Sequence, residues 1–263
     1  MPTFKIILAY DGTAFVGWQR QARGTSIQGA LEDALRALDG RDVTVHGAGR
    51  TDAGVHAVGQ VASFTLARSV GADAVLRATN ARLPAAIRVV RAEAVDPAFH
   101  ARYRARLKTY QYRILNTDVP DVFARAYAWH LPGTLDCDAM QAAARLLEGR
   151  HDFAAFQASG APTRTTEREI TAVDLIVREG GGEWWPDHVR MITLDITGSG
   201  FLRHMVRIVV GSLVEIGRGR RDAAWLAEVL AARDRRRAGP TAPPCGLFLR
   251  AVMYPPETLA DEC

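Results

Sequence analysis

The order of the predicted strands and helices is the feature that most constrains the fold of this chain. Short stretches rich in bulky apolar side chains predict strands, and apolar residues three and four positions apart predict amphipathic helices. In the first part of the chain these patterns give the order β-α-β-β-α-β. Its elements cover residues 4–10, 27–38, 43–46, 60–66, 72–82 and 87–95. Thr25 and Gln28 have the spacing of a capping box, which predicts the start of the first helix.

The rest of the chain repeats this order with insertions. Its predicted strands cover residues 110–116, 169–178, 189–197 and 246–254, and its predicted helices cover residues 137–147, 201–216 and 223–232. Asp136 or Asp138 is the expected cap of the first of these helices. The halves share a pattern rather than sequence identity. We therefore predict an α+β fold with two ferredoxin-like halves, residues 1–104 and 105–263, whose antiparallel sheets join around a basic cleft.

The distribution of positive charge predicts a polyanionic partner. The chain has 33 Lys and Arg against 29 Asp and Glu, and nearly all of the cations are arginines. A high arginine content also follows from genomic base composition, so the clustering is the informative part. Guanidinium groups in clusters suit phosphate oxygens. The clusters comprise Arg102, Arg104, Arg106, Lys108 and Arg113; Arg203, Arg207, Arg218, Arg220 and Arg221; and Arg233, Arg235, Arg236 and Arg237.

The remaining composition predicts a cytoplasmic protein with no membrane contact. No apolar run approaches the roughly 18 residues that a membrane-spanning helix needs. Residues 1–5 lack the pattern of a signal peptide. The three cysteines, Cys137, Cys245 and Cys263, are odd in number and far apart, which disfavours a disulfide framework and a cysteine-based zinc site.

A glycine-rich run predicts a shaped loop that carries a carboxylate. Residues 49–57 read GRTDAGVHA, with Asp52 between Arg50 and Gly54. Glycine permits backbone conformations that a Cβ forbids, so the run indicates a turn between two strands. Asp and Gly are also ordinary turn residues, and a nearby Arg is most often a surface ion-pair partner. The pattern by itself leaves both a surface turn and a catalytic carboxylate open.

This run resembles the signature of the tRNA pseudouridine synthase A family. Further matching stretches extend the resemblance over about residues 4–254. They are YDG at 10–12, GWQ at 17–19, SIQGALE at 26–32, FHAR at 99–102, KTYQY at 108–112, GFLRHMVR at 200–207 and APPCGL at 242–247. The resemblance implies the pseudouridine synthase fold, a homodimer, and an isomerase acting on uridines 38, 39 and 40 in the anticodon stem-loop of tRNA. The loop that carries Trp184 and Trp185 lies outside these motifs, and we expect it at the surface or at a dimer contact.

The resemblance also implies a role for particular residues. Asp52 becomes the catalytic carboxylate, and Arg207, the last residue of its motif, becomes the cation that pairs with it. Tyr110 becomes the ring that stacks on the target uracil, and Leu247 lines the uracil pocket. Arg50 is expected to contact RNA or to help flip the base.

The chemistry of the reaction agrees with these residue types. Pseudouridine formation breaks the bond from ribose C1′ to uracil N1 and rejoins the base through C5, so it is redox-neutral and we expect no cofactor. An Asp, with an ordinary pKa of about 3.9, is ionised at neutral pH. It can attack the sugar, attack the base or remove a ribose proton, and the sequence leaves these three open. A flipped base needs an aromatic platform. Tyr112 shares a strand face with Tyr110, and we assign Tyr112 to the core.

Two other classes of function compete with this interpretation. A zinc nucleobase deaminase needs H-x-E and P-C-x-x-C elements, and the chain has only Pro244 and Cys245 of that pattern. His46, Asp52 and His56 have no spacing typical of a metal site, so we expect no metal. The serious alternative is a non-catalytic RNA-binding protein of ferredoxin-like fold, which would have no need of a carboxylate facing RNA.

Overall fold

The computed structural model describes residues 1–158, 160, 163–180 and 189–255, so the loop with Trp184 and Trp185 lies outside the described residues. Its strands are β1 (Thr3–Tyr10), β2 (His46–Gly47), β3 (His56–Thr65), β4 (Ile87–Val95), β5 (Leu107–Asn116), β6 (Trp129–Leu131), β7 (Gly149–Asp152), β8 (Glu167–Glu179), β9 (Arg190–Gly198) and β10 (Leu247–Met253). Its α-helices are α1 (Ile27–Asp39), α2 (Ala72–Asn80), α3 (Cys137–Ala144), α4 (Met205–Gly217) and α5 (Ala223–Ala232). In these residues no helix combines the length and the apolar character needed to cross a membrane.

The strands form one mixed sheet that confirms the predicted α+β fold. The order along the sheet is β4-β1-β3-β10-β5-β9-β8-β7, with β2 paired to β3 and β6 paired to β5. The first half therefore runs β4-β1-β3-β2, and the second runs β10-β5-β9-β8. The four strands in chain order are β1, β2, β3 and β4 in the first half, and β5, β8, β9 and β10 in the second. In both halves the fourth of these strands borders the first, and the third lies between the first and the second. This shared order is the ferredoxin-like pattern that the alternation of strands and helices predicts.

The two halves join where β3 and β10 run parallel. Phe248 lies opposite His56, and Leu249 lies opposite Ala57. Strand β2 uses the other end of the same edge of β3, opposite residues 62 and 63. Because β10 occupies the first part of that edge, β2 pairs there through only two residues. This parallel pairing is the seam between the halves.

A glycine in β3 makes the seam possible. The pairing of β1 with β3 shifts register at residues 58 and 59, where β3 has an extra residue. A Cβ added at Gly59 would lie 2.1 Å from the carbonyl oxygen of Arg250 in β10. That oxygen belongs to the backbone and has no freedom to rotate away. Only a residue without a side chain fits at this point of the seam.

One hydrophobic core extends under both halves of the described chain. Alternate residues of β1, from Phe4 to Tyr10, are buried on the face that α1 covers, as the period of a strand requires. The same cluster contains Ile27 and Leu31 of α1 and the buried face of α4. On the opposite face, Ile7 packs in a smaller cluster around Val61 and Ala101. The halves thus share a core as well as a sheet.

The predicted capping box is wrong, and of the predicted strand at 43–46 only His46 lies in a strand. The side chain of Ser26, not Thr25, caps α1 by accepting from the Gly29 N–H. The Gln28 amide instead donates to the carbonyl of Val45 at 3.1 Å, and the Glu32 carboxylate accepts from the Val45 N–H at 3.3 Å. Side chains of α1 therefore occupy the backbone groups that a strand at Val45 would need.

Other boundaries differ from the predictions at element ends. Helix α3 ends at Ala144 and continues as a short 3₁₀ turn, and Asp136 is its cap through a 2.8 Å bond from the Ala139 N–H. Helix α4 begins at Met205 rather than at residue 201, because His204 has a left-handed backbone with φ of 60°. Strands β6 and β7 were not predicted, since three or four residues are too few to show a period.

We predict that Gly59→Ala weakens the seam and lowers the free energy of unfolding by about 1–3 kcal/mol, the usual cost of overpacking. Urea denaturation followed by circular dichroism measures this change. Gly71→Ala is the matched control, because a Cβ at Gly71 would meet no atom within 4 Å and its φ is −79°. Equal stability of the two variants would contradict the assigned role of Gly59.

Candidate active site

The loop between β2 and β3 is tied to β1, to the segment between β1 and α1, and to β3. The Thr51 carbonyl accepts from the Trp18 N–H at 3.0 Å, and the Thr51 hydroxyl lies 2.8 Å from that of Tyr10. The Gln60 amide donates to the Gly49 carbonyl at 2.8 Å. A turn closed from the Val55 N–H to the Asp52 carbonyl at 3.1 Å completes the loop. These bonds hold both sides of Asp52.

The YDG stretch at residues 10–12 packs directly against this loop. A Cβ at Gly12 would lie 2.0 Å from the carbonyl oxygen of Val55, so the close approach requires glycine. The Gly12 N–H also donates to Nδ1 of the buried His56 at 3.1 Å. Asp11 Oδ1 lies 3.2 Å from the same nitrogen, and the Tyr127 hydroxyl donates to Asp11 at 2.8 Å. The matching stretches at 10–12 and 49–57 thus form one structural unit.

The Asp52 carboxylate faces two groups from the second half of the chain. Arg207 Nη1 lies 4.0 Å from Asp52 Oδ2, and His204 Nε2 lies 3.5 Å from the same oxygen. The side chain of Asp52 keeps 36 % of its exposure, whereas that of Arg207 keeps 13 %. The Asp52 side chain is therefore open to solvent on one side and bordered by a guanidinium on the other.

Arg207 is fixed by the segment that precedes β10. Its Nε donates to the carbonyl of Ala242 at 2.7 Å, and its own carbonyl accepts from the Ala242 N–H at 3.1 Å. Burial lowers the pKa of Arg207 below its ordinary value, and the charge of Asp52 acts in the opposite direction. The first turn of α4 therefore directs a restrained guanidinium toward the Asp52 loop.

Tyr110 lies beside the same loop in β5, two strands from β3. Its hydroxyl is the nearest atom to where a Cβ of Gly49 would stand, 3.6 Å away, and its ring meets the edge of Phe201 with centroids 4.9 Å apart. Burial raises its pKa above the usual range, and Tyr10 and the charge of Asp52 add to the rise, so the hydroxyl is protonated at neutral pH. Only 7 % of the residue is exposed.

The prediction that Tyr112 belongs to the core is confirmed. It is fully buried, and its hydroxyl donates to the carbonyl of Pro243 at 2.8 Å. The two tyrosines share a strand face. The hydroxyl of Tyr110 lies next to the Asp52 loop, whereas the hydroxyl of Tyr112 is bonded to the segment that leads to β10.

The other two predicted site residues, Arg50 and Leu247, lie on different segments. Arg50 is exposed on the loop, two residues before Asp52. Leu247 is buried in the main core at the start of β10, opposite Tyr112 in the register. Its segment reaches the loop through Pro244, which lies 3.0 Å from the position of a Cβ on Gly54. The structure thus brings Asp52, Arg207 and Tyr110 into one group, and Leu247 lies in the main core three residues after Pro244.

The arginine clusters divide between the site and the far side of the molecule. Arg203 and Arg235 both act electrostatically on His204, and Arg102 acts on Lys108, whose side chain lies against Gly49. The remaining members of the second cluster follow α4, which at 13 residues is about 20 Å long. Those members are Arg218, Arg220 and Arg221. The second cluster therefore does not form one patch.

The three residues considered for a metal have different neighbours. The His46 ring packs at a tilt against His100 with centroids 4.6 Å apart, and His56 is buried between Asp11 and the ring of Phe248. Asp52 faces Arg207. Across the ranges that the structure describes, no three His, Cys, Asp or Glu residues are grouped as a metal site would require.

His204 is the site residue to which sequence reasoning gave no role. It lies within the stretch GFLRHMVR, three positions before Arg207. Residues three apart at the start of a helix lie on the same side, and this spacing was the available signal. Its left-handed backbone, which turns the ring toward Asp52, has no signature in the local sequence.

Comparison with known proteins gives one consistent result. The family model described as "tRNA pseudouridine synthase" matches residues 6–104 and 143–255. A protein named tRNA pseudouridine synthase A from Moorella thermoacetica is 48 % identical over 256 residues, which is 97 % of this chain and all of the relative. Proteins of the same name from Syntrophotalea carbinolica and from Methylobacterium sp. strain 4-46 are each 46 % identical, over 99 % and 97 % of this chain and 100 % and 98 % of the relatives.

These matches include both halves, the Asp52 loop and the segment that carries Arg207. The structure has the two ferredoxin-like halves that the resemblance implies. The chain therefore belongs to the tRNA pseudouridine synthase family, a family of isomerases.

Proposed function

We propose that this chain converts uridine to pseudouridine at positions 38, 39 and 40 in the anticodon stem-loop of tRNA, with Asp52 as the catalytic carboxylate. Membership of the family supports the reaction class and the tRNA substrate. One observation supports the residue: a partly exposed Asp52 on a restrained loop faces Arg207 from the other half of the chain. The positions in tRNA follow from the resemblance of the motifs.

The reaction requires a charged group that reaches the glycosidic bond of an extruded uridine. Attack on the sugar, attack on the base and removal of a ribose proton all use an ionised carboxylate, which Arg207 stabilises. The open side of Asp52 is the side from which the nucleotide enters. Because a base inside a stem cannot be reached, the uridine leaves its stack and enters the site.

Aromatic and apolar side chains then hold the uracil. Tyr110 lies beside the carboxylate, and base–aromatic stacking is worth roughly 1–3 kcal/mol. Its protonated hydroxyl adds no negative charge next to Asp52. Leu247 supplies an apolar wall at the start of β10. The detached uracil stays stacked between these side chains while it rotates, so that C5 replaces N1 opposite ribose C1′.

Cations around the loop bind the phosphates of the same RNA arm. Arg50 and Arg203 are exposed, and Lys108 and Arg235 are partly buried around the same loop and helix start. Guanidinium groups match phosphate oxygens in geometry and charge. Arg50, two residues from Asp52, contacts the backbone nearest the flipped uridine.

The remaining parts of the proposal concern assembly. We assign residues 1–104 to a half that carries the Asp52 loop, and residues 105–263 to a half that carries Tyr110, Arg207 and Leu247. We also infer a homodimer that works in the cytoplasm without a cofactor. These assignments rest on the resemblance and on the redox-neutral chemistry.

Asp52→Asn is predicted to abolish pseudouridine formation while leaving tRNA binding intact. The amide keeps the size of the side chain but provides neither a nucleophile nor a base. The measurement is release of tritium from C5-labelled uridine in tRNA, together with a filter-binding assay for affinity.

Asp73→Asn is the control for this change, because Asp73 is an exposed carboxylate in the first turn of α2. It is expected to keep full activity. Normal turnover by the Asp52 variant would exclude Asp52 as the catalytic group. Loss of tRNA binding along with activity would point instead to a non-catalytic, structural role for the loop.

Arg207→Lys is predicted to lower kcat by about 100-fold, in the range found when one electrostatic contact of an active site is removed. Lysine keeps the charge but has no Nε to donate to Ala242, so the cation is no longer held toward Asp52. Single-turnover kinetics with unmodified tRNA measure the rate. Arg218→Lys, at the opposite end of α4, is the control and is expected to be unchanged. Equal rates for the two variants would contradict the pairing of Arg207 with Asp52.

A further inference from the structure

His204 has a left-handed backbone, which is uncommon for any residue that carries a side chain. Its φ is 60° and its ψ is 5°, in the left-handed region that glycine and asparagine adopt most readily. The peptide bonds around it are nevertheless fixed. The Met205 N–H donates to the Leu202 carbonyl at 3.1 Å, and the His204 carbonyl accepts the first bond of α4 from Ile208 at 3.0 Å. A strained residue that its surroundings fix in place is typical of functional sites.

The strained backbone brings the imidazole to one particular oxygen of Asp52. His204 Nε2 lies 3.5 Å from Oδ2, closer than Arg207 Nη1, which lies 4.0 Å from the same Oδ2. The ring is partly exposed, with 23 % of the side chain open to solvent. Two groups of α4 and its start therefore meet one oxygen of the carboxylate, and Oδ1 is the oxygen left for the substrate.

Burial, with help from three nearby arginines, lowers the pKa of the His204 imidazole. These arginines are Arg207, Arg203 and Arg235. Asp52 acts in the opposite direction and does not compensate for the others. At neutral pH the ring is therefore uncharged, and one of its two nitrogens carries a proton.

We propose that His204 is a positioning residue for Asp52: with the uridine bound, its imidazole closes the 3.5 Å gap, donates from Nε2 to Oδ2 and, with Arg207, fixes the carboxylate so that Oδ1 faces the uridine. The proposal rests on the function proposed for Asp52. A neutral donor suits this position because a hydrogen bond from a cation is about twice as strong and withdraws more charge from the carboxylate. Arg207, at 4.0 Å, supplies the positive charge that stabilises the carboxylate. His204 sets the orientation of the carboxylate.

Protonation of His204 is expected to lower kcat. When the pH falls below the pKa of His204, the ring becomes a cation and forms an ion pair with Asp52. The carboxylate is then a weaker nucleophile and base, so kcat falls on the acid side of neutrality. Affinity for tRNA does not follow the same curve, because the phosphate contacts belong to arginines and Lys108, which stay charged as the pH falls.

Two variants separate the donor from the backbone. His204→Gln places an amide N–H at a reach similar to that of Nε2, and this donor does not titrate. His204→Asn tolerates the left-handed backbone, but its shorter amide does not reach Oδ2. The measurement is kcat and KM for pseudouridine formation in unmodified tRNA from pH 5 to pH 8, with circular dichroism to verify folding.

We expect the Gln variant to have a kcat within about threefold of wild type at pH 8 and to show no decline over the acid range in which the wild-type rate falls. The Asn variant is expected to lose roughly tenfold in kcat at pH 8, the order of one lost hydrogen bond, with KM unchanged. A Gln variant with the wild-type acid decline would overturn the proposal, as would an Asn variant with the wild-type kcat. A wild-type protein that makes no pseudouridine at any pH would instead refute the proposed function.

Discussion

The parallel pairing of β3 with β10 is the constraint on which the site depends. It joins two sheets that each follow the ferredoxin-like order, and it does so at the strand that begins four residues after Asp52. Strand β10 in turn follows Ala242, to which Arg207 is bonded. The seam therefore sets the distance between a carboxylate of the first half and a cation of the second. The close approach at Gly59 shows how tightly the two strands are joined.

The electrostatic arrangement follows from the chemistry that the site must perform. A carboxylate that faces RNA is repelled by phosphate and needs cations to remain ionised and in place. Arg207 meets this need at close range, and Arg203 and Arg235 lie around the same helix start. In the proposed mechanism the neutral His204 then directs the carboxylate without neutralising it. In this proposal a single helix start carries two tasks, attraction of the RNA and orientation of Asp52.

Local composition and capping account for what the sequence predicts correctly. Helix α5 and strand β4 have the predicted bounds, because α5 follows the capping residue Asp222 and is rich in alanine and leucine, and β4 is rich in β-branched residues. The errors lie where long-range contacts determine the backbone. Side chains of α1 bind the backbone of Val45 and prevent a strand there, and the left-handed His204 delays the start of α4. The motifs led to Asp52, Tyr110 and Arg207, but no local pattern reveals that β3 and β10 pair or that His204 reaches Asp52.

Mapping pseudouridines in unmodified tRNA, incubated with the purified protein and no added cofactor, tests the proposed function most directly. Pseudouridine is expected at positions 38, 39 and 40 and at no uridine outside the anticodon stem-loop. Binding of the tRNA without any pseudouridine, or modification confined to another arm, would contradict it.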